Sequence, residues 1–175
     1  MIRPPFDRLE VLEKLRPAYA GQHSLMLPGA CDPSRAPRVR FKRFDLANRG
    51  KYEFADLPFS PELHRFVEAL TGVQLKPAWT RLYRFRRGGY SLFFDDAHSR
   101  VEAGVEITLD LSREMRGPPA IYQSGPTQRL EVPQAPGLVA VVERNPAMFR
   151  YDRYLPAEVG RASVLRLRAA FEYGR

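Results

Sequence analysis

A mainly β chain, a jelly roll with helices packed on it from the N-terminal side, is the fold class that the sequence predicts. Three observations carry the prediction. From Thr80 onward, short runs of aromatic and branched residues alternate with Gly/Pro punctuation. Before Thr80, two stretches carry apolar residues at the helical period. Strands at close, regular spacing, without the longer helical stretches of βαβ units, argue for a sandwich or barrel.

The first helix is expected over residues 6–16, from Leu9, Leu12 and Leu15 at the helical period, with Pro17 ending it. Residues 21–58 read as irregular, apart from a short strand signal at Val39, Phe41 and Phe44. A second helix is better marked. Ser60 is a good N-cap, Pro61 suits the first helical position, and Leu63, Phe66, Val67 and Leu70 form an apolar stripe that Gly72 closes. The strand runs are Leu82–Phe85, Tyr90–Phe94, Val105–Leu111, Ala120–Gln123, Leu130–Val132, Leu138–Val142, Met148–Tyr154 and Val164–Phe171. Residues 1–175 read as one domain, with 1–79 a helical N-terminal part and 80–175 the jelly-roll core.

Composition narrows the functional classes. Cys31 is the only cysteine, which excludes an internal disulfide and a thiolate metal site. No apolar run approaches the ~20 residues that a membrane-spanning helix needs. Met1-Ile2-Arg3-Pro4-Pro5 lacks a secretory pattern, so the expectation is a cytoplasmic protein without a membrane partner. The net charge is +8, from 28 basic and 20 acidic residues, and only Lys14, Lys42, Lys51 and Lys76 are lysines. Two basic stretches stand out, Arg38-Val39-Arg40-Phe41-Lys42-Arg43 and Arg81-Leu82-Tyr83-Arg84-Phe85-Arg86-Arg87. They suit an acidic partner, but the charge is spread along the chain rather than held in one block, which disfavours nucleic acid.

The order of motifs after residue 60 resembles the prolyl-hydroxylase-like branch of the iron(II)/2-oxoglutarate-dependent oxygenases. Leu70-Thr71-Gly72 ends a helix before a strand, and Phe85-Arg86-Arg87-Gly88-Gly89-Tyr90 is similar to the stretch that precedes that family's His-x-Asp metal motif. Ile107–Ser112, Gly117–Tyr122 and Leu130–Val142 follow in the family's order. Gly160-Arg161-Ala162-Ser163 resembles the Arg-x-Ser that receives the distal carboxylate of 2-oxoglutarate. The resemblance covers roughly residues 60–171 and implies a double-stranded β-helix, with Fe(II) and 2-oxoglutarate as cofactors in an intact member.

The metal ligands depart from that pattern. Counted from Gly88, the first histidine falls on Phe94 and the carboxylate on Asp96; counted from Gly89, the two fall on Asp95 and Ala97. The distal histidine, some ten residues before Arg161, falls in Arg150-Tyr151-Asp152-Arg153-Tyr154. The chain holds only His23, His64 and His98. Fe(II) in such sites takes two histidines and a carboxylate, so the chain is expected to be a degenerate member without cofactor. A fallback metal cluster would combine Asp96, His98 and Asp152.

The candidate site then rests on other residues. Arg161 and Ser163 would bind a carboxylate, and Tyr83 and Phe94 would line an aromatic cavity. Asp96, Tyr90 and Tyr151 would be the acids or bases of a metal-independent reaction. Strand alternation puts Tyr90 and Phe94 inside the barrel and Ser91 and Phe93 on its other side. Three readings stay open. One is a pseudo-oxygenase that binds a small acidic or aromatic molecule. Another is an enzyme on this fold, metal-independent or with iron on unusual ligands. The last is a basic interaction module for an acidic protein or nucleic acid, and a homodimer is also compatible.

Overall fold

The computed structural model describes residues 1–45, 50–92, 95, 103–115, 117–157, 160 and 162–174. Helix α1 spans Leu9–Gln22 and runs through Pro17 instead of ending before it. Proline removes one helical hydrogen bond. Burial of Leu12 and Tyr19 on either side of it holds the helix together. The turn ends at His23, which adopts a left-handed conformation (φ 54°) and donates its backbone N–H to the Tyr19 carbonyl. Helix α2 spans Pro61–Thr71 and is built as its sequence predicts. The Ser60 side chain accepts from Leu63 N–H, and Gly72 closes the helix at φ 78°.

The strands are β1 (Ser24–Leu27), β2 (Lys42–Asp45), β3 (Lys51–Asp56), β4 (Leu75–Phe85), β5 (Gly104–Asp110), β6 (Ala120–Ser124), β7 (Gln128–Val132), β8 (Val139–Arg144), β9 (Met148–Asp152) and β10 (Val164–Tyr173). Among the described residues they form a larger sheet, in the order β1-β8-β5-β10-β4-β3-β2, and a smaller one, β7-β6-β9. All named pairings are antiparallel.

The division at residue 79 needs correcting. The part expected to be helical supplies β1, β2, β3 and the first five residues of β4 to the larger sheet. The segment 21–58, expected to be irregular, holds three of these strands. Of the strand expected over Tyr90–Phe94, Tyr90 forms an isolated bridge with Lys51, and Phe93 and Phe94 lie outside the described residues.

The helices cover one face of the larger sheet. Leu12 and Tyr19 of α1 and Leu63, Phe66, Val67 and Leu70 of α2 share a core with Leu82, Ile107, Leu109, Val141, Leu167 and Phe171. The opposite face closes on the smaller sheet, where Ala120, Tyr122 and Val132 meet Ala140 and Val142. A third cluster of Tyr83, Phe85, Leu155 and Val164 packs with Tyr52, Phe54 and Trp79. No helix among the described residues is long and apolar enough to cross a membrane.

Candidate functional site

Between the two apolar clusters inside the barrel lies a buried ionic network. Alternation along β5 puts Val105, Ile107 and Leu109 under the helices and turns Glu106 and Thr108 inward. The same alternation on β10 turns Leu167 and Ala169 to the helices and Arg166 and Arg168 inward. Arg144 from β8, and Arg150 and Asp152 from β9, complete the set. All six charged side chains are nearly inaccessible, Arg168 at 0% and Arg150 the most exposed at 4%.

Two carboxylates organise the network. Arg168 donates from both terminal nitrogens to Asp152, 2.9 Å to Oδ2 and 2.7 Å to Oδ1. Arg166 also donates to Asp152 Oδ1, and its other terminal nitrogen donates to the Pro118 carbonyl at 2.8 Å. Ser91 Oγ donates to Asp152 Oδ2 at 3.0 Å. Glu106 receives Arg150 on both oxygens at 2.6 Å, Arg144 at 3.0 Å and the Tyr122 hydroxyl at 2.6 Å.

Burial alone would raise both carboxyl pKa values. The surrounding guanidiniums outweigh it. Arg150, Arg144 and Arg168 bring Glu106 down to about 2, and Arg168 and Arg166 hold Asp152 well below the usual carboxylate range. Burial, with the Glu106 charge beside it, pushes the Tyr122 hydroxyl up. Tyr122 is therefore a hydrogen-bond donor here and no base.

One wall of this interior is aromatic. Trp79 and Tyr83 lie on the inward face of β4, and Arg150 stands over both rings, 5.8 and 5.6 Å from their centroids. Arg168 stands over Tyr83 at 5.2 Å, and Arg81 over Trp79 at 5.6 Å. Arg168 Nε is buried without a hydrogen-bond acceptor among the described residues; Glu106 Oε1 is 4.0 Å away.

Of the residues singled out in the sequence, Tyr83 is on this inner wall. The alternation expected after Gly89 runs the other way. Ser91 is buried and bonded to Asp152, whereas Tyr90 packs against the exposed ring of Tyr154, 6.4 Å away. The cause is the pairing of Ser91 with β9, in which Ser91 N–H donates to the Asp152 carbonyl. Tyr151 alternates with the inward Arg150 and Asp152, and so faces away from the interior. Both tyrosines therefore stand apart from the ionic network. Ser163 also leaves the site: it lines a surface groove with Ser34, Arg38 and Ser112, because its neighbour Val164 takes the inward position. Phe94, Asp96, His98 and Arg161 lie outside the described residues.

Glu106, Arg144, Arg150, Arg166 and Arg168 were missed in the sequence. Charged residues alternating with apolar ones read as a solvent-facing strand side. Here that side faces a second sheet.

The Fe(II) implied by the resemblance finds no fit in this arrangement. Among the described residues, no group of three His, Cys, Asp or Glu side chains is placed to hold a metal ion. Asp152, a member of the fallback cluster, has both oxygens taken by guanidiniums. Two cations at such a carboxylate oppose a third.

No family model and no curated protein sequence matches the chain. Solved structures do match. An oxidoreductase of the 2OG-Fe(II) oxygenase family from Burkholderia pseudomallei superposes with a TM-score of 0.65 at 13% identity, over 92% of this chain and 90% of its own. The non-heme alpha ketoglutarate dependent epimerase SnoN from nogalamycin biosynthesis gives 0.63 at 14% identity, over 95% and 84%. A Pseudomonas putida prolyl-4-hydroxylase gives 0.62 at 10% identity, over 94% and 100%. The chain has the jelly-roll fold of the 2-oxoglutarate/Fe(II) oxygenases.

Proposed function

We propose that this protein is a pseudo-oxygenase that binds a small acidic ligand with a planar or aromatic body inside the barrel, without iron. The observation that carries this reading is the placing of Tyr83 between two buried guanidiniums, Arg150 at 5.6 Å and Arg168 at 5.2 Å. The terminal nitrogens of Arg168 are held by Asp152, but its buried Nε has no acceptor among the described residues and can donate to an anionic group. Aromatic faces take up planar groups. The capture of Asp152 by Arg166 and Arg168 argues against the reading with iron on unusual ligands, which uses that carboxylate. The placing of Tyr90 and Tyr151 away from the ionic network argues against metal-independent catalysis, for which they were two of the three candidate groups. A non-catalytic binding role is the reading that these positions support.

Trp79 is the only tryptophan and half-buried at this wall, so its fluorescence reports occupancy. The protein is titrated in a metal chelator with 2-oxoglutarate, phenylpyruvate and benzoate. At least one should change Trp79 emission saturably and raise the melting temperature by about 5–10 °C at saturation. The response should vanish in Tyr83→Leu, with the fold checked by circular dichroism. Stabilisation that requires Fe(II) would overturn the proposal in favour of an iron enzyme.

A further inference from the structure

The two basic stretches noted in the sequence lie some forty residues apart, and the sheet brings them together. Strand β2 pairs with β3 in a register that sets Arg43 opposite Glu53, and β3 pairs with β4 so that Glu53 is opposite Arg84. These three residues form a row across the outward face of the sheet's far wing. Arg43, Lys51, Arg84, Arg86 and Arg87 line a groove of about 410 Å³ there, with Glu53 as the acidic residue among its described side chains. Arg84 and Arg86 both bond to Glu53. Burial would raise the Glu53 carboxyl, and the two guanidiniums outweigh that and hold it below its ordinary value. Glu53 thus serves Arg84 and Arg86, and the excess positive charge of the groove rests on Lys51 and Arg87. Lys51 and Arg87 are exposed and make no ion pair among the described residues.

Strand β2 is also the last strand of the sheet, so among the described residues its outer edge is unpaired. An edge strand offers backbone donors and acceptors to an incoming extended chain. We propose that this wing binds an extended acidic segment of a partner polypeptide, which adds to β2 as a further strand. Alternate side chains of such a segment fall on the face that carries Arg43 and Arg84. Acidic residues at every second position would therefore lie over the groove.

Two features favour a polypeptide over nucleic acid. The free edge matches a peptide backbone and has no counterpart in a phosphodiester chain. The rings beside the groove are already covered, Phe41 by the Arg84 guanidinium at 3.9 Å and Phe44 by Tyr52 at 4.9 Å. They leave no open platform for base stacking, on which single-stranded nucleic acid binding depends.

The test uses the full chain and a fluorescein-labelled peptide of alternating glutamate and threonine, followed by anisotropy. The glutamine version of the peptide and a single-stranded RNA of similar length are the controls. Binding to the glutamate peptide is expected, weakening steeply with added salt. The Lys51→Glu/Arg87→Glu variant alters exposed side chains only and should bind about tenfold or more weakly. Hydrogen exchange should slow at the β2 amides when the peptide is bound. The proposal is overturned if the glutamate peptide does not bind better than the glutamine one, or if the charge-reversed variant binds as well. Tighter binding of RNA than of peptide overturns it in favour of a nucleic-acid surface. Binding that leaves β2 exchange unchanged overturns the strand addition.

Discussion

Arg168 holds Asp152 by both carboxylate oxygens, one terminal nitrogen to each, with both side chains buried between the sheets. The pair joins β10 of the larger sheet to β9 of the smaller one, so it closes the barrel. Arg166 adds a second guanidinium to the same carboxylate. Removing one partner of a buried ion pair leaves the other charged and unmatched, which costs about 3–5 kcal/mol. Asp152→Asn should therefore lower the melting temperature by on the order of 10 °C in a chain of this size. Differential scanning calorimetry checks it. A loss of under about 2 °C would mean that water reaches the pair and that the interior is not sealed.

The second carboxylate gives a pH dependence. Glu106 is held at about 2 in the folded chain, against roughly 4.3 in an unfolded one. A depressed carboxyl contributes stability that is fully present above the unfolded value and is lost as pH falls through the folded one. Asp152 acts in the same direction. Urea unfolding at steps between about pH 5 and pH 2 should show stability falling throughout that window. Glu106→Gln should be less stable at neutral pH and show a shallower fall on acidification. An identical slope in the variant would assign the acid sensitivity to other carboxylates.

The sequence made the fold legible and the site much less so. Helix α2 was readable because Ser60, Pro61 and Gly72 act locally, through a cap, a fixed φ and a left-handed turn. The later strands were readable because turn residues separate them. Strand β3 was missed although Tyr52 and Phe54 alternate with polar residues and Gly50 and Pro58 bracket it, since two aromatic residues make too short a run to stand out. Helix α1 outran Pro17 because burial of Leu12 and Tyr19 is a tertiary effect. The ionic network is also tertiary. Nothing local tells Arg168, facing a second sheet, from Arg81, which is partly exposed beside Asp56. Tyr83 faces the interior because β4 is paired along its length with β10, whereas the phase after Gly89 is set by pairing with β9.

Iron affinity follows from the same geometry. Anaerobic titration with Fe(II) and 2-oxoglutarate should give no stoichiometric charge-transfer band, because Asp152 is committed to two guanidiniums. A tight band would show that Asp152 exchanges its arginine partners for metal. It should then disappear in Asp152→Asn.

Glycine positions test whether strand contact or chain flexibility sets the barrel's stability. Gly104 opens β5 opposite Glu172 of β10. A Cβ built on it would lie 1.9 Å from the Phe171 carbonyl oxygen and 2.9 Å from its carbon. These are backbone atoms of the paired strand, so relief requires β5 and β10 to part. Glu106 lies two residues along β5, on the same face, and such a shift would draw it away from Arg150 and Arg144. Gly104→Ala should therefore cost more than an ordinary overpacking change, which is about 1–3 kcal/mol. Gly21, inside α1, has nothing within 4 Å of the same position. Alanine there lowers the entropy of the unfolded chain and favours the helix, so Gly21→Ala should stabilise by roughly 0.5–1 kcal/mol. Chemical denaturation of both variants measures the contrast. A mild effect at Gly104 would mean that β5 can slide on β10, and the arginines around Glu106 would then not be held by the register of this strand pair.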